Sequence, residues 1–193
     1  MRKLATLGMA TVLALGPLGS TASARRCSGV TAPDHVEVEG TRLQLNGMGI
    51  REASIFQVNV YVAALYLENR TDDAEVVASS EQKKVLHLYF VRNVTRQDIV
   101  NAYEEGFRIN AGTEQLGLQR EIEQLSSWMK DLGAGESMIY TYVPGRGLTV
   151  EVDDEIMGTI ENPAFARAFF RLFVGREPPN TGLKAGLLGG RCR

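Results

Sequence analysis

One run constrains this chain more than any other. From Phe56 to Leu67 the residues alternate, with Phe56, Val58, Val60, Val62, Ala64 and Tyr66 forming a wholly apolar face. The opposite face, Gln57, Asn59, Tyr61, Ala63, Leu65 and Leu67, is polar at one end and apolar at the other. A period of two over that length predicts a β-strand. The first face predicts a core, and the mixed face the wall of something less uniform. Just before it lies Asn46-Gly47-Met48-Gly49-Ile50-Arg51. Asn-Gly is a strong tight-turn signal, because both central positions of such a turn need positive φ.

The rest of the chain fits around this strand. His35 to Glu39, a Glu39-Gly40-Thr41 turn and Arg42 to Leu45 predict an opening hairpin, after a loosely structured start. Asp72 followed by Glu75 suggests a capped short helix to about Ala78. Lys84 to Val91 reads as a central strand. Thr95 and Asp98 have capping-box spacing, and Ile99, Ala102, Tyr103, Gly106 and Phe107 recur at helical intervals behind them. That helix should stop at Gly112. A second should carry Leu118, Ile122, Leu125, Met129 and Leu132 on one stripe and stop at Gly133. Met138 to Val143, Leu148 to Val152 and Ile156 to Ile160 predict a three-strand meander. Asn162-Pro163 opens a helix that ends at Gly175, and a short helix around Leu183 to Leu188 completes the order. Strands, helices, strands and helices in that sequence indicate a single α+β domain with helices on one side of an antiparallel sheet.

The N-terminus has a basic start at Arg2-Lys3, an apolar run from Leu4 to Leu18 and a small-x-small site at Ala22-Ser23-Ala24. This is the pattern of a secretory signal peptide over residues 1–24, cleaved after Ala24, with the domain spanning 25–193. A periplasmic or secreted protein is expected, with no transmembrane segment after cleavage. Its two cysteines, Cys27 and Cys192, lie at opposite ends of the exported part. In an exported protein such a pair is most simply a disulfide, the alternative being two free thiols in frayed ends.

The balance of 21 basic and 23 acidic residues leaves a formal charge of −2, which argues against nucleic acid as a partner. Two cysteines and two distant histidines have no metal-ligand spacing, and no cofactor motif is complete. His35 and His87 sit in strands, and no serine has the flanking glycines of a nucleophile elbow. Arg51 remains as the candidate. It follows a glycine-rich backbone that could let a ligand approach closely. The alternative is an arginine at a strand end that reaches solvent or pairs with Glu52.

Leu45-Asn46-Gly47-x-Gly49-Ile50-Arg51, the run Tyr61-Val62-Ala63-Ala64-Leu65-Tyr66-Leu67, Gly175-x-x-Pro178 and Leu183-Lys184-x-x-Leu187-Leu188-Gly189 resemble the exported bacterial branch of the chalcone isomerase-like family. The likeness runs from about Val36 to Gly189. It implies an open-faced β-sandwich, a large antiparallel sheet with helices packed on one side and a ligand cleft between them. Plant members close chalcones into flavanones, whereas related members bind fatty acids through the family arginine, which Arg51 matches. A guanidinium suits a phenolate, an enolate or a carboxylate alike.

The departures bear on activity. A threonine of the enzymes falls near Tyr61, the helical tyrosine near Asp98 and an asparagine near Glu105, with Tyr103 or Asn101 as possible substitutes. Ionised carboxylates cannot donate the hydrogen bonds those positions supply. The resemblance therefore favours non-catalytic binding of a fatty acid or other hydrophobic small molecule with an anionic head group. Arg51, Tyr61, Asn101, Tyr103 and Phe107 are the candidate binding residues. An intramolecular lyase acting on an unsaturated carbonyl, with Arg51 as its one catalytic candidate, is the second reading. A structural or partner-binding protein whose cleft is filled by its own side chains is the third.

Overall fold

The computed structural model describes residues 23–53, 58–111 and 117–192. Seven antiparallel strands form one sheet in chain order: β3 (His35–Val38), β4 (Thr41–Ala53), β5 (Val58–Leu67), β6 (Lys84–Phe90), β7 (Ser137–Val143), β8 (Gly147–Val152) and β9 (Glu155–Ile160). A separate hairpin, β1 (Ala24–Cys27) with β2 (Val30–Pro33), precedes them, where the sequence suggested only a loose start. The described residues also form five helices: α1 (Ala74–Ser79), α2 (Arg96–Asn110), α3 (Gln119–Ser127), α4 (Pro163–Val174) and α5 (Thr181–Leu187). The fold class is the one the sequence indicates, an open-faced sheet with helices on one side.

Both faces of the sheet are buried, but unequally. Ala63, Leu65, Leu67, Leu86, Leu88 and Tyr140 meet Phe107, Leu125, Phe165 and Phe169 of the helices in the main core. Val62, Ala64 and Tyr66 lie on the other face, in a smaller cluster with Leu43, Leu45, Met48 and Ile50 under Cys27 and Ala32 of the hairpin. The apolar face of β5 thus lies in a core, though the smaller one, and the mixed face looks toward the helices. Its apolar end packs on helices, while its Tyr61 end borders a cavity. Phe56 and Gln57, which the sequence adds to this strand, lie outside the described residues.

Local signals mostly act where the sequence places them. Glu39 and Gly40 both take positive φ and turn β3 into β4. Thr95 and Asp98 form a reciprocal capping box at the start of α2. The Asn162 side chain accepts from the amides of Ala164 and Phe165 above Pro163. The cap of α1 is Asp73 rather than Asp72. The α2 helix ends at Asn110 with Ala111 as its cap, and Gly112 is outside the described residues. The α3 helix stops at Ser127, short of the expected Leu132. Met129 and Leu132 are still buried, because Leu132 leaves the helix to bridge Val94 through backbone hydrogen bonds of 2.8 and 2.9 Å.

Asn46-Gly47 is not a turn. Both residues lie inside β4, at a bulge where Leu45 faces Tyr66 and Gly47 faces Leu65. The extra residue, Asn46, is 1% exposed and its side chain is fully engaged. Its Nδ2 donates to the carbonyls of Thr71 (2.9 Å) and Leu187 (2.7 Å), and its Oδ1 accepts from the Thr71 amide (2.9 Å). The two glycines beside it admit α5. A Cβ on Gly47 would lie 2.1 Å from the Gly186 carbonyl oxygen, and one on Gly49 would lie 2.3 Å from that of Leu183. What approaches this backbone is therefore a helix of the same chain, not a ligand.

Cys27 and Cys192 form a disulfide with Cα atoms 5.8 Å apart, which ties the end of β1 to the tail beyond α5. No helix among the described residues is long and apolar enough to cross a membrane.

Candidate functional site

Antiparallel pairing sets Arg51 of β4 opposite Tyr61 of β5, and Tyr61 opposite Phe90 of β6. This row forms one wall of a cavity of about 550 Å³ between the sheet, α2 and α4. Ile99, Tyr103 and Gly106 supply the α2 wall, and Leu172 and Phe173 the α4 wall. The two helices meet closely, since a Cβ on Gly106 would touch Leu172 Cγ at 3.1 Å.

Arg51 is half-buried and lines the cavity. Its guanidinium donates to the backbone carbonyl of Glu52, not to that residue's carboxylate. Tyr61 packs edge-on against Phe90, with ring centroids 5.6 Å apart. Burial holds the Tyr61 hydroxyl well above the ordinary tyrosine range, against the opposing pull of the Arg51 charge. It stays protonated and can donate a hydrogen bond to an anion.

Tyr103 is buried at the inner end, where its hydroxyl meets that of Tyr140 in a short hydrogen bond. The Tyr140 hydroxyl also reaches Met138 Sδ at 3.1 Å. Burial, then the neighbouring phenol, raises the pKa of Tyr103 far above its usual value, and burial raises that of Tyr140. The inner end is thus neutral as well as largely apolar.

The structure does not bring all five candidates together. Asn101 is exposed on α2 and accepts a hydrogen bond from Gln97 at 2.8 Å, away from the cavity lining. The helical period explains this, since Asn101 falls two residues from Tyr103 and so on another face. Phe107 is fully buried against Phe165 (5.3 Å) in the core behind the lining. The amphipathic stripe could not separate a core position from a lining position one turn apart. Arg51, Tyr61 and Tyr103 do share the cavity.

Asp98 and Glu105 also reach the lining, and both are engaged within their own helix. Asp98 Oδ2 accepts from the Thr95 hydroxyl (2.7 Å) and the Thr95 amide (3.3 Å). Glu105 receives two hydrogen bonds from Arg108, at 2.5 and 2.8 Å, and this pull lowers its pKa. One further cation was missed from the sequence. Exposed Arg92 sits at the cavity just after β6, among lining residues that also include Glu177. Its place follows from strand register, which the sequence does not show: Tyr61 pairs with Phe90, and Arg92 lies two residues beyond that end of β6.

Fold and cavity together define an α+β protein with an apolar pocket between an open sheet and its helices, and a cation at one end. The chain belongs to the chalcone isomerase-like family, whose model matches residues 24–189. Among solved structures it is similar to the crystal structure of an Arabidopsis thaliana fatty-acid binding protein. The TM-score is 0.65 at 16% identity, over 84% of this chain and 93% of that one. At that identity the likeness establishes the fold alone. A sequence comparison with curated proteins finds no match.

Proposed function

We propose that this is an exported binding protein for a fatty acid or another hydrophobic anion, held with its head group at Arg51. The observation that carries this reading is the cavity of about 550 Å³, with apolar walls and the Arg51–Tyr61 pair at one end. Its size lies within the roughly 300–1,000 Å³ usual for small-molecule sites, which combine apolar walls with a few placed polar groups. Arg51 neutralises the carboxylate, Tyr61 donates to it, and Ile99, Tyr103, Leu172 and Phe173 contact the chain. The similarity to a fatty-acid binding protein supports the ligand class. The signal-like N-terminus and the disulfide, a bond that persists in oxidising compartments, support export to the periplasm or beyond.

No observation favours catalysis over binding. Asp98 and Glu105, the acceptors that stand where the plant enzymes carry hydrogen-bond donors, line this cavity. The third reading needs a cleft filled by the protein's own side chains, and this cleft is open.

The test is competition between palmitate or its methyl ester and a fluorescent fatty-acid analogue, with the wild type and Arg51→Ala. Loss of a charge-assisted hydrogen bond costs about 1.5–3 kcal/mol. Palmitate should therefore bind the variant about ten- to a hundredfold more weakly, and the ester should bind both proteins alike. Equal palmitate affinity in the two proteins would remove Arg51 from the site. Failure of any acyl chain to displace the probe would remove the ligand class.

A further inference from the structure

A second concavity, of about 480 Å³, has the opposite character. It lies where the β1–β2 hairpin meets the β3–β4 hairpin. Arg25 of β1, Arg42 of β4 and Arg70, just beyond β5, converge on it, with Asp34 and His35 between them. Among its described lining residues Leu45 is the single apolar one, in contrast to the apolar walls of the first cavity. All three arginines are exposed. No described carboxylate lies within ion-pairing distance of any of them, although Asp34 shares the lining. Arg42 Nη2 contacts His35 Nδ1 at 3.1 Å. Since a guanidinium can only donate, that ring nitrogen is the acceptor and the proton sits on Nε2, which gives the ring a donor of its own.

Among the described lining residues, three guanidiniums against one carboxylate leave two positive charges in excess, on a chain whose formal charge is −2. Like charges brought together from separate elements repel, and a multivalent anion turns that repulsion into attraction. The donor set selects among anions. A carboxylate is satisfied by one fork, whereas three forks match the oxygens and charge of a phosphate. The cluster is a pocket and not a stripe, which does not suit a nucleic-acid backbone.

We infer that this pocket binds a phosphate group, a phosphomonoester with a charge near −2, through Arg25, Arg42 and Arg70. The site is separate from the acyl cavity, shares no lining residue with it and does not rest on the binding function proposed above. Cleavage after Ala24 would place the new α-amino group on Arg25 and add a further positive charge here.

The test is calorimetric titration of the disulfide-bonded protein with glycerol 3-phosphate at low salt. Beside it runs co-sedimentation with phosphatidylcholine vesicles, with and without phosphatidic acid. Binding in either arm should fall about tenfold or more in Arg25→Gln/Arg70→Gln and be partly restored in Arg25→Lys/Arg70→Lys, which keeps charge but loses the fork. Palmitate affinity should be unchanged in all of them. Binding of the free ester assigns a soluble phosphomonoester, and binding of phosphatidic acid vesicles alone assigns a lipid head group. If neither probe binds the wild type, or the glutamine variant binds as the wild type does, the pocket is not a phosphate site.

Discussion

Lys84 shows how a single side chain can be charged, buried and still useful. It is 1% exposed. Its Nζ donates to the carbonyls of Val77 (2.8 Å) and Ala78 (3.2 Å) at the end of α1, and lies 4.9 Å from the Phe170 ring centroid and 5.2 Å from that of Tyr142. The ammonium thus caps a helix C-terminus inside the core, where the helix dipole favours a cation. Burial nevertheless lowers its pKa from 10.5 to about 8, against the pull of Glu81. Between those values the unfolded chain holds more protons than the folded one, so stability rises with pH across that window. Urea titrations from pH 8 to 9, where unfolded tyrosines with a pKa near 10 are still largely protonated, should show a gain of about 0.5–1 kcal/mol. Lys84→Met should abolish that slope, and an unchanged slope would mean that another group is responsible. Sequence put Lys84 at the start of a strand but gave no sign of its burial, because its partners come from α1, β7 and α4.

Between elements, the decisive contact is α5 on β4. Gly47 and Gly49 do not need unusual backbone angles, and neither has positive φ. They are glycine because the helix backbone occupies the volume of a side chain. Gly186 is the reciprocal case, with a Cβ that would lie 2.2 Å from the Met48 carbonyl oxygen. Gly49→Ala should cost about 3 kcal/mol or more, at the upper end of overpacking, since backbone and not a flexible side chain must yield. Gly117→Ala, where nothing lies within 4 Å, should stay within about 0.5 kcal/mol of the wild type. Similar denaturation midpoints for the two variants would refute the packing argument. The contact also shapes the site: Asn180, just before α5, donates to the Ile50 carbonyl at 3.0 Å, beside Arg51, and Pro179 lines the cavity. Sequence reasoning read the same glycines as a turn and a ligand approach. It recognised a close approach to the backbone correctly and mistook what approaches, since the partner lies more than a hundred residues away.

For the whole molecule, the Cys27–Cys192 bond closes a loop of 165 residues. In the chain-entropy model such a closure contributes about 5 kcal/mol, with 2–4 kcal/mol more typical of measured cases. Cys27→Ser/Cys192→Ser should therefore unfold at lower temperature, by about 5–15 °C for a domain of this size. Calorimetry in the two forms checks this, and equal midpoints would show that the bond constrains little. Much of the architecture was legible in the amino-acid sequence. Strand period, capping residues and the Glu39-Gly40 turn act through neighbours a few positions away, so the order of elements and the fold class follow from the chain itself. Arg51 and Tyr61 were both candidates from the sequence, but their standing opposite one another is a matter of strand register across two bulges, which the sequence did not show. What only the tertiary structure decided is which polar and glycine residues face a partner, a cavity or the core. It turned Asn46 and its glycines into a helix seat, left Arg51 and Tyr61 on an open cavity, sent Phe107 behind its wall and Asn101 to solvent. Those assignments depend on distances between segments far apart in the chain, and no local pattern of residues encodes them.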